Sequence, residues 1–139
     1  LMMLVPEAWE AKADMSEKLR AFYQYHSTLS EPWDGPAAIS FTDGNRIGTA
    51  LDRNGLRPAR FLVTSDGIVA MASEAGVLDF APETIVRKGR VEPGSMIIAD
   101  LAEGRILEND EIKHIIASRQ PYAEYVKSHV IRLENLQEV

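Results

Sequence analysis

No cysteine occurs among the 139 residues, and that absence excludes more chemistry than any single motif supplies. A disulfide frame, a thiolate zinc site, an iron–sulfur cluster held by this chain and a cysteine nucleophile all need the missing side chain. Long apolar runs are missing too. None approaches the roughly 20 residues of a membrane-spanning helix, and Leu1-Met2-Met3-Leu4-Val5-Pro6 has neither the basic flank nor the small cleavage-type residues of a targeting segment. The expectation is a soluble, untargeted chain. Basic blocks are equally absent: 15 Lys and Arg against 21 Asp and Glu give a net charge of −6, which opposes non-specific contact with nucleic acid or an anionic membrane. The remainder, 45% hydrophobic and 26% charged, is ordinary globular usage and fills at most one domain.

What is present changes character along the chain. Residues 1 to 30 lack glycine. Asp14 followed by Glu17 has the spacing of a capping box, and Met15, Leu19, Phe22, Tyr23 and His26 then share one side of a helix over about 16 to 28. Pro6 with Glu7 and Ala8 predicts a shorter helix before it. From Pro36 to Ile106 short apolar runs alternate with turn signals. Residues 37–41 and 47–51 flank Asp43-Gly44-Asn45, 60–64 and 68–72 flank Ser65-Asp66-Gly67, and 95–100 and 105–107 flank Ala102-Glu103-Gly104. Three hairpins predict antiparallel sheet, and runs apolar at consecutive positions predict strands covered on both faces. Asn109 then caps a helix with Ile112, Ile115 and Ile116 that stops near Gln120, before Pro121. Residues 122–139 read as mixed, with Tyr125, Val126, Val130, Leu133 and Leu136 as buried positions.

Few residues point to chemistry. His26, His114 and His129 are scattered, with no metal-motif spacing, and His26 reads as a packed, hydrogen-bonded helix residue. Asp34, Asp43 and Asp52 make a poor cation cluster, because Asp43 falls in a hairpin turn where aspartate serves the backbone. Glu31-Pro32-Trp33-Asp34-Gly35-Pro36 fixes an irregular loop around a large indole, which by pattern alone is a turn entering the first strand. Asp52-Arg53-Asn54-Gly55-Leu56-Arg57-Pro58-Ala59-Arg60 is the densest polar stretch. Its arginines either hold a carboxylate in bidentate fashion or pair with Asp52 and loop carbonyls to stiffen the loop. Ser73-Glu74 has no histidine base near it in sequence, and no G-x-S-x-G, P-loop or G-x-G-x-x-G occurs.

Met2-Met3-Leu4-Val5-Pro6-Glu7-Ala8-Trp9, Phe22-Tyr23-Gln24-Tyr25-His26-Ser27, Glu31-Pro32-Trp33-Asp34-Gly35-Pro36-Ala37, Leu51-Asp52-Arg53-Asn54-Gly55-Leu56-Arg57-Pro58, Ala72-Ser73-Glu74-Ala75-Gly76-Val77 and Val86-Arg87-Lys88-Gly89-Arg90 together resemble the glutamate synthase large subunit. The resemblance is to the later part of its class II glutamine amidotransferase domain. It implies an α+β fold, part of an αββα N-terminal-nucleophile hydrolase sandwich. Residues 1–113 then belong to that domain and 114–139 lead toward a central one. In such enzymes an N-terminal cysteine attacks the side-chain amide of glutamine, and the released ammonia travels to a flavin site. There it combines with 2-oxoglutarate, and the imine is reduced through FMN and an iron–sulfur cluster.

Because this chain has no cysteine, the resemblance transfers no catalytic residue, metal ligand or cofactor to it. Asp34, Asp52, Arg53, Asn54, Arg57 and Glu74 are the site-adjacent residues it implies. The partners it implies are the remainder of the large subunit and glutamine, with neither nucleic acid nor membrane, in the cytoplasm or, for a plant-type enzyme, the plastid. The alternative is a non-catalytic assembly module derived from the same domain.

Overall fold

A computed structural model describes residues 1–131. All three hairpins foreseen from the turn residues form. In the first, Asp43 Oδ1 accepts from the backbone N–H groups of Asn45 (3.0 Å) and Arg46 (2.7 Å), joining β1 (Ala38–Thr42) to β2 (Arg46–Leu51). The second joins β3 (Arg60–Thr64) to β4 (Val69–Ala72). The strand β5 (Ile85–Arg90), absent from the sequence-based expectation, pairs with the other side of β3. Asp100 Oδ1 closes the third hairpin by accepting from Ala102 (3.1 Å) and Glu103 (3.0 Å), between β6 (Met96–Asp100) and β7 (Arg105–Leu107). The strands make two antiparallel sheets, ordered β1-β2-β6-β7 and β4-β3-β5.

Of the strands expected to be covered on both faces, β6 is buried at every position, whereas β1 and β4, at the edges of their sheets, have no buried residue. Alternate side chains of β2 and β6 serve different cores. Ala50, Met96 and Ile98 meet Met2, Phe22, Tyr23 and Ile112 on the helical side. Leu51 and Ile97 meet Ala59, Phe61 and Val91 of the second sheet. Full burial of a large apolar side chain there contributes about 1.5–3 kcal/mol. The fold is α+β, with helices, sheet and sheet in sequence: three of the four layers of an αββα sandwich.

The helices depart from expectation at their ends. In α1 (Glu17–Ser27) the cap is Ser16, whose Oγ accepts from Leu19 N–H at 3.4 Å, and not Asp14. Residues 6–8 form no helix. Glu108, not Asn109, holds the cap position of α2 (Asn109–Ala117), because Asn109 Oδ1 instead accepts from the Met96 N–H at 3.3 Å. A third helix, α3 (Tyr122–His129), takes up the first part of the region expected to be mixed. It packs on α1 through Tyr122, edge-on to Phe22 at 5.3 Å between ring centroids. Tyr125, Val126 and Val130 are half-buried rather than core. Leu133 and Leu136 lie outside the described residues. No helix among the described residues is long and apolar enough to cross a membrane.

One polar cluster sits inside the helical core. Glu7, 8% exposed, binds Lys113 Nζ through Oε1 at 2.6 Å and Lys12 Nζ through Oε2 at 3.0 Å. The Tyr23 hydroxyl donates to Oε1 at 3.2 Å. Lys113 Nζ also donates to the Gly94 carbonyl at 2.9 Å. Burial opposes the charge on Glu7, but the two ammonium groups outweigh it and hold the carboxyl below its usual range. Burial is the larger influence on Lys113 and lowers its pKa despite Glu7. Burial, reinforced by the Glu7 charge, raises the Tyr23 phenol.

Two outcomes follow for stability. A carboxyl depressed in the folded state stabilises the fold above its unfolded pKa and loses that contribution as pH falls through the folded value. The urea midpoint should therefore drop between pH 5 and pH 3, and Glu7→Gln should flatten that slope while lowering the midpoint at pH 7. Gly94 has φ +65°, and a Cβ there would stand 2.9 Å from Glu7 Cβ. Gly94→Ala should cost about 2 kcal/mol in denaturant unfolding.

Candidate functional site

The chain leaves the first sheet after Leu51 and enters the second at Arg60, and the intervening loop is organised by Asp52. Its side chain is buried. Oδ1 accepts from the Ala37 N–H at 2.9 Å, and Oδ2 accepts from Asn54 (2.9 Å) and Gly55 (3.3 Å). Its own N–H donates to the Ala37 carbonyl at 3.1 Å, and its carbonyl accepts from Gly55 (3.1 Å) and Gly94 (2.8 Å). Burial works to raise the Asp52 pKa, but the backbone donors outweigh it and keep the carboxyl below the ordinary aspartate range. An ionised carboxylate with its acceptor positions spent on amides is a structural anchor, not a proton acceptor for substrate.

The loop is stiffened, as one of the two sequence alternatives held, but through other partners. Asp52 takes backbone N–H groups rather than a guanidinium. Arg53 instead pairs with Asp34 across 3.0 Å, with both side chains exposed. That contact ties the Glu31–Pro36 loop to the 52–59 loop. Trp33 in the former is 58% exposed; its Nε1 donates to the Gly35 carbonyl at 3.2 Å and its backbone N–H to the Leu4 carbonyl at 2.6 Å. Gly55 stands at φ +60°, where a Cβ would lie 2.6 Å from Pro93, so the loop packs directly on the turn before β6.

Asn54 and Arg57 face solvent on the same loop, and among the described residues Arg57 makes no ion pair. Glu74 lies apart from them, on the exposed loop after β4, with no recorded hydrogen bond or ion pair to the other five. It belongs to the same sheet end, since Arg60 pairs with both Ala72 and Arg90. There it lines a groove of about 480 Å³ with Arg60, Leu62, Leu78, Lys88 and Arg90. Five of the six sequence-derived residues thus sit on two connected loops.

Asp43 is at the opposite end of its hairpin from Asp34 and Asp52, and no group of His, Asp or Glu able to hold a metal occurs among the described residues. With no thiolate in the chain, an iron–sulfur cluster does not fit here, and no glycine-rich phosphate loop is present for FMN. His26 is a packing residue, its Nδ1 2.8 Å from the Phe22 carbonyl and its ring 4.2 Å from the Phe22 ring.

Sequence patterns missed Glu7, Lys113 and Gly94, which brace this loop from below. Two signals were available. Glu7 is the lone charge in an otherwise apolar stretch, and Lys113 stands beside Ile112 and four residues before Ala117, on the buried side of α2.

The class-II glutamine amidotransferase family matches residues 1–125. The chain is 51% identical over 132 residues to the glutamate synthase [NADPH] large chain of Bacillus subtilis, covering 95% of this chain and 9% of that one. Against the glutamate synthase [NADH] of Schizosaccharomyces pombe it is 44% identical over 136 residues, covering 98% and 6%. Against the ferredoxin-dependent glutamate synthase of Cyanidium caldarium it is 49% identical over 131 residues, covering 93% and 8%. The chain thus spans less than a tenth of the length of these relatives. A family match over most of the chain, with the two-sheet fold and the Asp52-anchored loop beneath it, makes this polypeptide a member of the class-II glutamine amidotransferases.

Proposed function

We propose that this chain forms the later part of the glutaminase domain of a glutamate synthase, with residues 1–113 building one side of the site and 114–139 leading toward a central domain. The observation that carries this is the Asp52 anchor. A buried carboxylate holds three amides, fixing the backbone of the 54–55 turn, and Arg53, Asn54 and Arg57 stand exposed on that loop. Such rigidity serves a loop that must hold a ligand in one orientation.

Glutamine carries an α-carboxylate and an α-ammonium, and the two connected loops offer the complement of each. Arg57 presents a guanidinium suited to the carboxylate. Asp34, 82% exposed even while paired with Arg53, presents a carboxylate to the ammonium. Asn54 adds an amide donor, and Glu74 lies at the outer edge of the same sheet end. The attacking thiol comes from polypeptide outside these 139 residues. Ammonia release, and its reductive combination with 2-oxoglutarate through FMN and an iron–sulfur cluster, belong to the larger enzyme, in the cytoplasm or a plastid.

Two measurements test this. The chain alone should release no ammonia from glutamine, and adding a polypeptide that bears the N-terminal cysteine should create glutaminase activity. Hydrolysis by the chain alone, or none by the combination, overturns the proposal, and the latter outcome favours a non-catalytic assembly module. Asp52→Ala should lower kcat/KM of the combination at least tenfold and destabilise the chain by about 3 kcal/mol, because it orphans buried N–H groups. Arg57→Lys should raise KM for glutamine several-fold with little change in kcat, as expected for loss of a bidentate carboxylate contact.

A further inference from the structure

Buried ion pairs are poor stabilisers, because well-packed apolar residues of the same volume do as well or better. The Glu7–Lys113 pair therefore calls for another use. Lys113 reaches the core from α2 and divides its ammonium between Glu7 Oε1 at 2.6 Å and the Gly94 carbonyl at 2.9 Å. Gly94 N–H in turn donates to the Asp52 carbonyl at 2.8 Å. Asp52 holds Asn54 and Gly55, and Gly55 rests on Pro93, the neighbour of Gly94. A peptide unit with one end bonded to Lys113 and the next bonded to Asp52 transmits any movement of α2 to the loop. Slack is small at each joint. Any side chain at Gly94 would strike Glu7, and any at Gly55 would strike Pro93.

We infer that Lys113 is a positioning residue for the 52–57 loop, acting through its bond to the Gly94 carbonyl, with Glu7 a counter-ion that stabilises the fold and that this coupling does not require. The inference rests on the proposed glutaminase role of that loop. It also gives α2, followed directly by α3 and the rest of the chain, a mechanical connection to the glutamine-holding residues. A shift of α2 reaches the Asn54–Gly55 turn without passing through the apolar core.

The test separates the Gly94 bond from the ion pair. Glu7→Gln/Lys113→Met removes both charges and the bond to Gly94, while Glu7→Gln alone leaves the ammonium on Gly94. Amide hydrogen exchange in this chain and glutamine kinetics of the chain combined with the cysteine-bearing polypeptide are the two readouts. The double variant should exchange the Gly94 and Gly55 amides at least tenfold faster and lose at least tenfold in kcat/KM for glutamine. Glu7→Gln should lower the unfolding midpoint yet keep kcat/KM within threefold. Lys113→Arg, which retains a cationic donor, should recover most of the double variant's loss.

Parental exchange and kinetics in the double variant overturn the inference. So does an equal kinetic loss in Glu7→Gln, which marks a purely structural pair. If the parental combination shows no glutaminase, the proposed function has failed, and the exchange comparison still decides whether Lys113 holds the loop.

Discussion

The Asp52 carboxylate is the fixed point of this molecule. It lies where the first sheet ends and the crossing to the second begins, and it joins three segments that share no sheet register there: Ala37 before β1, the 54–55 turn, and, through its carbonyl, the turn before β6. Charge-assisted hydrogen bonds to backbone donors are roughly twice as strong as neutral ones, and here they also keep the group ionised. Remove the anion and the Ala37 and Asn54 amides lose their partners together, while Gly55 keeps only the Asp52 carbonyl. Residues around it are accordingly those that take unusual backbone or close contact, Gly55 and Gly94 among them.

Above that anchor the structure divides its labour. The first sheet, buried on both faces along β6, is the stiff middle layer. The helices seal one side of it with an aromatic cluster that runs from Trp9, stacked on Tyr23, through Phe22 to Tyr122. The second sheet seals the other. Polar and exposed groups gather where the two sheets hand the chain across, on loops held by rigid elements.

Much of this was legible in the residues. Each hairpin was visible because its turn chemistry is local, with a glycine among polar or small residues between two apolar runs. β5 was not visible, because Val86-Arg87-Lys88-Gly89-Arg90 has little strand character of its own and becomes a strand by pairing with β3. α3 was missed for a similar reason, since the aromatics that hold it lie on α1. The polar density of 52–60 marked the loop that Asp52 organises. The identity of Asp52's partners was invisible, because backbone amides leave no trace in a sequence pattern. The Lys113–Glu7 bond joins opposite ends of the chain, beyond the reach of any window-based reading.

The order of the strands carries a consequence for how the molecule comes together. The sheets are interleaved along the chain: β1 and β2 open the first, β3 to β5 make the whole of the second, and β6 and β7 return to complete the first. The β2–β6 ladder joins residues 46–50 to 96–100, so a long loop containing the whole second sheet must be closed before the middle layer is complete. The second sheet is contiguous in sequence, whereas the first is split around it, and the 52–59 crossing is one of the two joints between them. The loop that Asp52 anchors thus also joins the two sheets, and changes to it bear on the rate of folding as well as on the finished structure.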